Sequence, residues 1–146
     1  GVISVGAISK SGYVWGSSAF GSSIDPATGD ERDFPNQKPE VVAPGVNIFS
    51  TASSTLSSPY AYSSGTSDST VFVAGALALI IQQCGDSIEG SDGYIDEDEM
   101  KLVKHALARS SDRSNFESAN HNSHSGYGTL DLVKWSQEIS FTFNVE

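Results

Sequence analysis

The segment GTSDSTVFVAG, residues 65–75, decides the fold, and the apolar run that begins in it continues to Ile81. The small polar residues 67–70 suit the cap and first turn of a helix. The residues that follow are apolar on every face of a helix over about 67–83, with Gly85 as its stop. Because a helix that is apolar all round lies inside a domain, the segment predicts a buried central helix.

Short strands precede this helix. Residues 2–8 are β-branched and mostly apolar, residues 40–43 form a second apolar run, and residues near Ile48 suggest a third strand. Residues 51–66 are rich in Ser and Thr, which is typical of a flexible linker unless the bulky proline and tyrosines among them act as anchors. Early strands followed by a buried helix predict an α/β fold, in which ligands gather where strand ends lead into helix N-termini.

Two further helices and a strand are expected downstream. Asp96 with Glu99 forms the pattern of a capping box, and apolar spacing continues that helix to about Arg109. A short helix is expected over about 130–136. The tail over 136–146 alternates apolar and polar residues, which predicts a strand that is either a sheet edge or the lead-in to a further domain.

Composition excludes several classes of function. The net charge is -10, from 18 acidic and 8 basic residues, which argues against nucleic acid as a partner because phosphate binding needs a basic face. The single cysteine, Cys84, excludes an internal disulfide. The longest apolar run, residues 71–81, is too short to cross a bilayer, so no membrane span is predicted.

Ser67 is the residue with the clearest chemistry. A serine hydroxyl needs a base to take its proton, and acyl transfer also needs backbone N–H donors to hold the oxyanion. A helix N-terminus supplies unpaired N–H groups and a positive dipole end, and Gly65 allows a substrate to approach the backbone closely. The same pattern fits a helix cap without chemistry, so the residues alone leave both readings open.

The segment 65–75 resembles the nucleophile motif of the subtilisin-like serine peptidases, the subtilases, in which Gly-Thr-Ser precedes a small pair and Val-Ala-Gly. Three other segments resemble the family in the same order along the chain. These are residues 2–7 (VISVGA), 38–48 (KPEVVAPGVNI) and 126–131 (GYGTLD). The resemblance covers residues 2 to about 135.

The resemblance implies a serine endopeptidase that cleaves a polypeptide through an acyl-enzyme, with Ser67 as nucleophile and Gly65, Thr66 and Ser67 forming the oxyanion and substrate site. It implies the C-terminal portion of a three-layer fold with a mostly parallel sheet and a buried central helix. Residues 1–135 would form this part and 136–146 a separate tail. An extracellular or cell-surface location is expected from the family.

The resemblance also implies that a partner is needed. The family's catalytic Asp, His and oxyanion-hole Asn come before the strand with which this sequence opens, so an N-terminal part of the same domain is expected to supply them. His105, His121 and His124 do not lie in the family's His-Gly-Thr setting. The chain alone is therefore expected to be inactive. The alternatives are a non-catalytic subtilase-like scaffold and a calcium-stabilised surface module.

This sequence departs from the family's pattern around the nucleophile. Val71 and Phe72 stand where Pro-His is usual, which changes the packing behind the site. Asp68 stands where Met is common and places a carboxylate next to Ser67.

An acidic segment, DGYIDEDE at residues 92–99, is a second candidate site. It matches the later half of an EF-hand loop, with Asp92, Asp96 and Glu99 as the candidate calcium ligands. The first two ligand positions would fall on Ile88 and Gly90, which favours a turn followed by a helix cap. No cofactor is expected for the chemistry, and calcium is considered only as a structural ion.

Overall fold

The computed structural model describes residues 1–53, 57–90, 92–116 and 120–145. These residues form four strands and three helices in the order β1 (Val5–Ile8), β2 (Val41–Pro44), β3 (Ile48–Thr51), β4 (Tyr60–Ser63), α1 (Thr66–Ile88), α2 (Glu97–Ser110) and α3 (Leu132–Thr142). The predicted α/β class is confirmed, because helices cover a small parallel sheet in the core.

The parallel sheet consists of β1 and β2, with Val5 opposite Val41. Val41 and Val42 have no solvent exposure, as expected for a parallel strand that helices or loops cover on both faces. Thr129 extends the sheet through a parallel bridge to Val42. The strand predicted over 2–8 is confirmed with shorter bounds, and the strand predicted over 40–43 is confirmed one residue further along the chain.

Helix α1 packs one face against this sheet and leaves the other open. Its buried residues include Val73, Ala76 and Ile80, whereas Val71 is 70% and Leu79 56% exposed. The buried central helix is therefore confirmed for one face of α1, and the described residues leave much of the other face exposed.

The predicted stop at Gly85 is also wrong. Gly85 is buried within α1, and Glu89 caps the helix by donating its N–H to the Gly85 carbonyl at 2.9 Å. The helix continues because Cys84 and Ile88 add to the apolar core on both sides of Gly85.

By length and composition, α1 also meets the requirements for a membrane span, with 23 residues and a mean hydropathy of 1.6 over its most apolar window. Core helices of soluble proteins meet the same requirements. One third of that window is buried against the rest of the chain. This burial does not decide between the two kinds of helix, so the absence of a membrane span stays a prediction.

Strands β3 and β4 form an antiparallel hairpin, with Phe49 opposite Tyr62. The Phe49 ring lies 5.0 Å from the Tyr62 ring and 5.4 Å from the Tyr60 ring, measured between centroids. The linker interpretation of residues 51–66 is therefore wrong for β4, because the contacts of its two tyrosines with Phe49 on β3 stabilise the strand. Residues 54–56 of that stretch lie outside the described residues.

Helix α2 is confirmed together with its capping box. Asp96 accepts hydrogen bonds from the N–H groups of Asp98 and Glu99, and the Glu99 side chain accepts one from the Asp96 N–H. The predicted tail strand is wrong over residues 136–142, which belong to α3. Helical spacing buries Trp135 and Ile139 completely, and this burial outweighs the alternating pattern that favoured a strand.

Candidate functional site

The loop before α1 is fixed to the end of the parallel sheet. The Gly65 N–H donates to the Gly45 carbonyl at 2.8 Å, and the Gly45 N–H donates to the Ile8 carbonyl at 3.0 Å. A methyl group on Gly45 would lie 2.1 Å from the Ser69 hydroxyl oxygen and 2.7 Å from the Gly65 carbonyl oxygen. Only glycine at residue 45 therefore lets the start of α1 approach the sheet this closely.

A second contact fixes the first turn of α1. The Ser69 side chain is completely buried, and its hydroxyl donates to the Ala43 carbonyl at 2.9 Å. Together with the contact between Gly65 and Gly45, this bond fixes the backbone on both sides of Ser67. The turn that presents Ser67 is therefore held in place by β2.

Ser67 is the second residue of α1 and is exposed to solvent. Within the part of the chain that the structure describes, its hydroxyl and its N–H have no hydrogen-bond partner. Gly65 is the N-cap and carries no side chain that could occupy the first N–H groups. The arrangement leaves an accessible hydroxyl beside unpaired N–H donors at the positive end of a helix dipole.

Gly65 and Thr66, the other two predicted site residues, lie beside Ser67 in the same turn. The Gly65 backbone is extended, with a φ of 173°. The Thr66 carbonyl accepts a hydrogen bond from the Thr70 hydroxyl at 2.8 Å. The structure thus brings the three residues together, as their adjacency requires.

The three histidines occupy other places. His121 Nε2 lies 2.9 Å from the Pro39 carbonyl oxygen, the His124 ring packs on Phe20, and His105 lies on α2. The hydrogen bonds found over 1–53, 57–90, 92–116 and 120–145 do not join any imidazole to Ser67. That the base for Ser67 comes from an N-terminal part of the domain stays a prediction.

His105 predicts a pH dependence of stability. Burial of the imidazole, with smaller effects from Arg109, Lys101 and Lys104, lowers its pKa below 6.5, and its Nδ1 is buried without a hydrogen-bond partner among the residues that the structure describes. The folded state therefore favours the neutral ring. The contribution of neutral His105 to the free energy of unfolding is complete above about pH 6.5 and is lost as the pH falls through the lowered pKa.

We expect His105→Gln to reduce the loss of stability between pH 8 and pH 5, measured by urea unfolding of the protein. His124→Gln changes an exposed ring, so this variant should lose as much stability between pH 8 and pH 5 as the parent does. If His105→Gln shows the same pH dependence as the parent, the loss of stability at low pH does not come from His105.

The candidate calcium ligands serve as local hydrogen-bond acceptors. Asp92 accepts from the Tyr94 N–H at 3.0 Å, and Asp96 and Glu99 form the capping box of α2. The described residues contain no cluster of three or more His, Cys, Asp or Glu side chains that could hold a metal ion. The geometry matches a turn followed by a helix cap, and a structural calcium ion stays a prediction.

Sequence reasoning missed an apolar groove that starts beside the turn that presents Ser67. This α1 groove has a volume of about 760 Å³ and lies between the β3–β4 hairpin, the open face of α1 and residues 130–132. Its wall contains Val71, Phe72 and Leu79, while Asp68 lines it near Ser67. The sequence signal for this groove is that α1 is apolar on every side. The small sheet of this chain can cover only part of that apolar surface.

Comparison with protein families matches residues 1–128 to the model of the subtilase family. The CspB protease of Clostridium perfringens is 27% identical, and 100% of this chain covers 28% of that chain at a TM-score of 0.71. The prenylagaramide maturation protease PagA is 25% identical, and 94% of this chain covers 42% of it at a TM-score of 0.62. No curated protein sequence gives a significant match.

The patellamide maturation protease PatA shares the fold alone, at 18% identity and a TM-score of 0.59, with 97% of this chain covering 43% of that chain. The chain thus spans less than half the length of each of these three proteases. The predicted subtilase resemblance and fold class are confirmed.

Proposed function

This chain belongs to the subtilase family, and we propose that it is the nucleophile-bearing part of a serine endopeptidase. The observation that carries the proposal is the turn over residues 65–67, which presents Ser67 at the start of α1. An exposed Ser67, whose N–H has no partner among the described residues, stands at the start of α1, and two glycines and a buried serine hold that turn against the sheet. Relatives that are proteases support the same activity.

In the proposed reaction, Ser67 Oγ attacks the carbonyl carbon of a peptide bond while a base takes its proton. The Ser67 N–H donates to the oxyanion that forms, and Gly65 and Thr66 line the site beside it. The amine of the cleaved bond leaves with the proton from the base, and water then hydrolyses the acyl-enzyme. Two groups are missing from the described turn: the base and a second oxyanion donor.

We propose that an N-terminal part of the same domain supplies the histidine base, its orienting aspartate and an oxyanion-hole asparagine. The α1 groove supports this partner, because Val71 and Leu79 expose most of their surface there. Covering those side chains would complete the burial that the sequence of α1 predicts. An extracellular or cell-surface location is proposed with it, in keeping with the net charge of -10.

The test is labelling with a fluorophosphonate, which reacts only with an activated serine. We expect stoichiometric labelling of Ser67 in the complete peptidase and a loss of at least about 1,000-fold in labelling rate in this chain alone, since a serine without its base is a poor nucleophile. Mass spectrometry of the labelled peptide locates the adduct.

Two variants control this experiment. Ser67→Ala should abolish labelling, while Ser87→Ala, which changes an exposed serine on the same helix, should label at the parent's rate. Absence of labelling in the complete protein would favour the non-catalytic scaffold. Rapid labelling of this chain alone would disprove the proposed need for an upstream part.

A further inference from the structure

Asp68 carries a carboxylate beside the nucleophile that the proposed mechanism does not use. It directly follows Ser67 and is the acidic residue of the first turn of α1. Its Oδ2 accepts a hydrogen bond from the Ser63 hydroxyl at 3.0 Å. A methyl group on Gly65 would lie 3.5 Å from this Oδ2 and 3.7 Å from the Ser67 backbone nitrogen. The carboxylate therefore lies close to Gly65, in the turn that presents Ser67.

No cation neutralises this carboxylate within the described part of the chain. The salt bridges found there join other residues, and Asp68 is half-buried in the wall of the α1 groove. The neighbouring wall residues Ile48, Val71 and Phe72 are apolar, so a charge placed near Asp68 would interact with it more strongly than in water. A half-buried carboxylate that has one hydroxyl donor can accept further hydrogen bonds from a cation.

We propose that Asp68 is a specificity-determining residue that binds the cationic side chain of a Lys or Arg in the polypeptide substrate, close to the scissile bond. The inference rests on the proposed function of Ser67. The charged end of such a side chain would reach the carboxylate at the start of α1, while the upstream part would cover the groove wall further along the helix, at Val71 and Leu79. Because the subtilase pattern commonly has Met at this position, we expect the preference for a basic substrate side chain to depend on the Asp68 of this chain.

The test compares peptide pairs that differ only by Lys or Met at each position flanking the cleaved bond, using the complete peptidase. At one of these positions, we expect the parent to prefer the Lys peptide by about tenfold or more in kcat/KM, since a hydrogen bond to a charged group supplies this much discrimination. Asp68→Asn keeps the shape and removes the charge, and it should reduce the preference to less than about threefold. Raising the salt concentration should reduce the parent's preference in the same direction.

The matched control is Asp86→Asn, which neutralises an exposed carboxylate on the same helix, roughly 27 Å further along α1. It should leave the Lys preference intact. Asp68→Glu, which retains the charge, should also prefer Lys, with a lower kcat/KM. An unchanged preference in Asp68→Asn would overturn the proposal, as would an equal change for both peptides.

Binding measurements separate this inference from the proposed function. In a Ser67→Ala background, which cannot form an acyl-enzyme, calorimetry should show about tenfold tighter binding of the Lys peptide, and Asp68→Asn should remove the difference. Equal binding of the two peptides in this background would overturn the role of Asp68 even if Ser67 is labelled. Preferential binding of Lys without fluorophosphonate labelling of the parent would retain the acidic subsite and reject the peptidase.

Discussion

Replacement of Glu40 by alanine is expected to lower the free energy of unfolding by roughly 3–5 kcal/mol, the usual effect of removing one partner from a buried ion pair. Glu40 is 2% exposed. Its Oε1 accepts from the Lys38 ammonium and lies 2.8 Å from the Lys104 Nζ, and its Oε2 accepts the Ser4 N–H at 2.8 Å. The carboxylate thus joins the chain before β1, the start of β2 and α2.

The large effect comes from what the substitution leaves behind. Lys104 is 4% exposed, and without Glu40 the acceptors that its buried ammonium keeps among the described residues are neutral: the Asn36 side chain at 2.5 Å and the Val2 carbonyl at 3.2 Å. The Ser4 N–H would also lose its acceptor. Lys38 has a side chain that is 22% exposed, so water can solvate it in the variant.

The measurement is the urea midpoint of the complete peptidase. Lys38→Met serves as the control from the exposed side of the cluster and should destabilise by less than about 1 kcal/mol, as is typical of a partly solvated pair. Combining Glu40→Leu with Lys104→Met removes both buried charges and should recover part of the loss. A change below about 1 kcal/mol in Glu40→Ala would show that the cluster contributes little.

The sequence predicts the location of Glu40 but not this cluster. Residues 40–43 form an apolar run, so the strand there is a local property. Lys104 belongs to a helix far along the chain, and only tertiary packing brings its ammonium to Glu40. An acidic residue at the start of a strand carries no local sign of such a partner.

The same distinction explains the successes and errors in the helices. The capping box of α2 is complete within Asp96 and Glu99, so the local sequence was sufficient to predict it. The tail contains two competing periodicities. Alternation from Ile139 onward favoured a strand, whereas Trp135 donates its indole N–H to the Val103 carbonyl at 3.2 Å and fixes α3 against α2.

Some features of the candidate site follow from the local sequence, and others follow from tertiary packing. Gly65, Thr66 and Ser67 are adjacent, so their motif predicts one turn at the mouth of a helix. The close approach of Gly45 to that turn, and the hydrogen bond between Ser63 and Asp68, depend on how β2 and the hairpin meet α1. The roles of these residues in catalysis stay predictions until labelling and peptide cleavage are measured.

The open face of α1 carries the second large prediction. This chain alone is expected to aggregate rather than unfold cooperatively as a monomer, because Val71, Phe72 and Leu79 are 70%, 44% and 56% exposed in one groove. Replacing all three by serine should make the isolated chain more soluble. The same substitutions should prevent assembly with the upstream part, since burial of each side chain contributes about 1.5–3 kcal/mol.

Both effects can be measured on mixed chains. Size-exclusion chromatography reports the aggregation of this chain alone, and fluorophosphonate labelling of Ser67 after addition of the upstream part reports assembly. The matched control replaces Tyr94 and Phe141 by serine, which are 76% and 82% exposed but lie outside the α1 groove. This control should assemble and label as the parent does. A cooperative, monomeric melt of the parent chain would contradict the prediction, whereas loss of labelling in the triple serine variant alone would identify the groove as the surface that the upstream part covers.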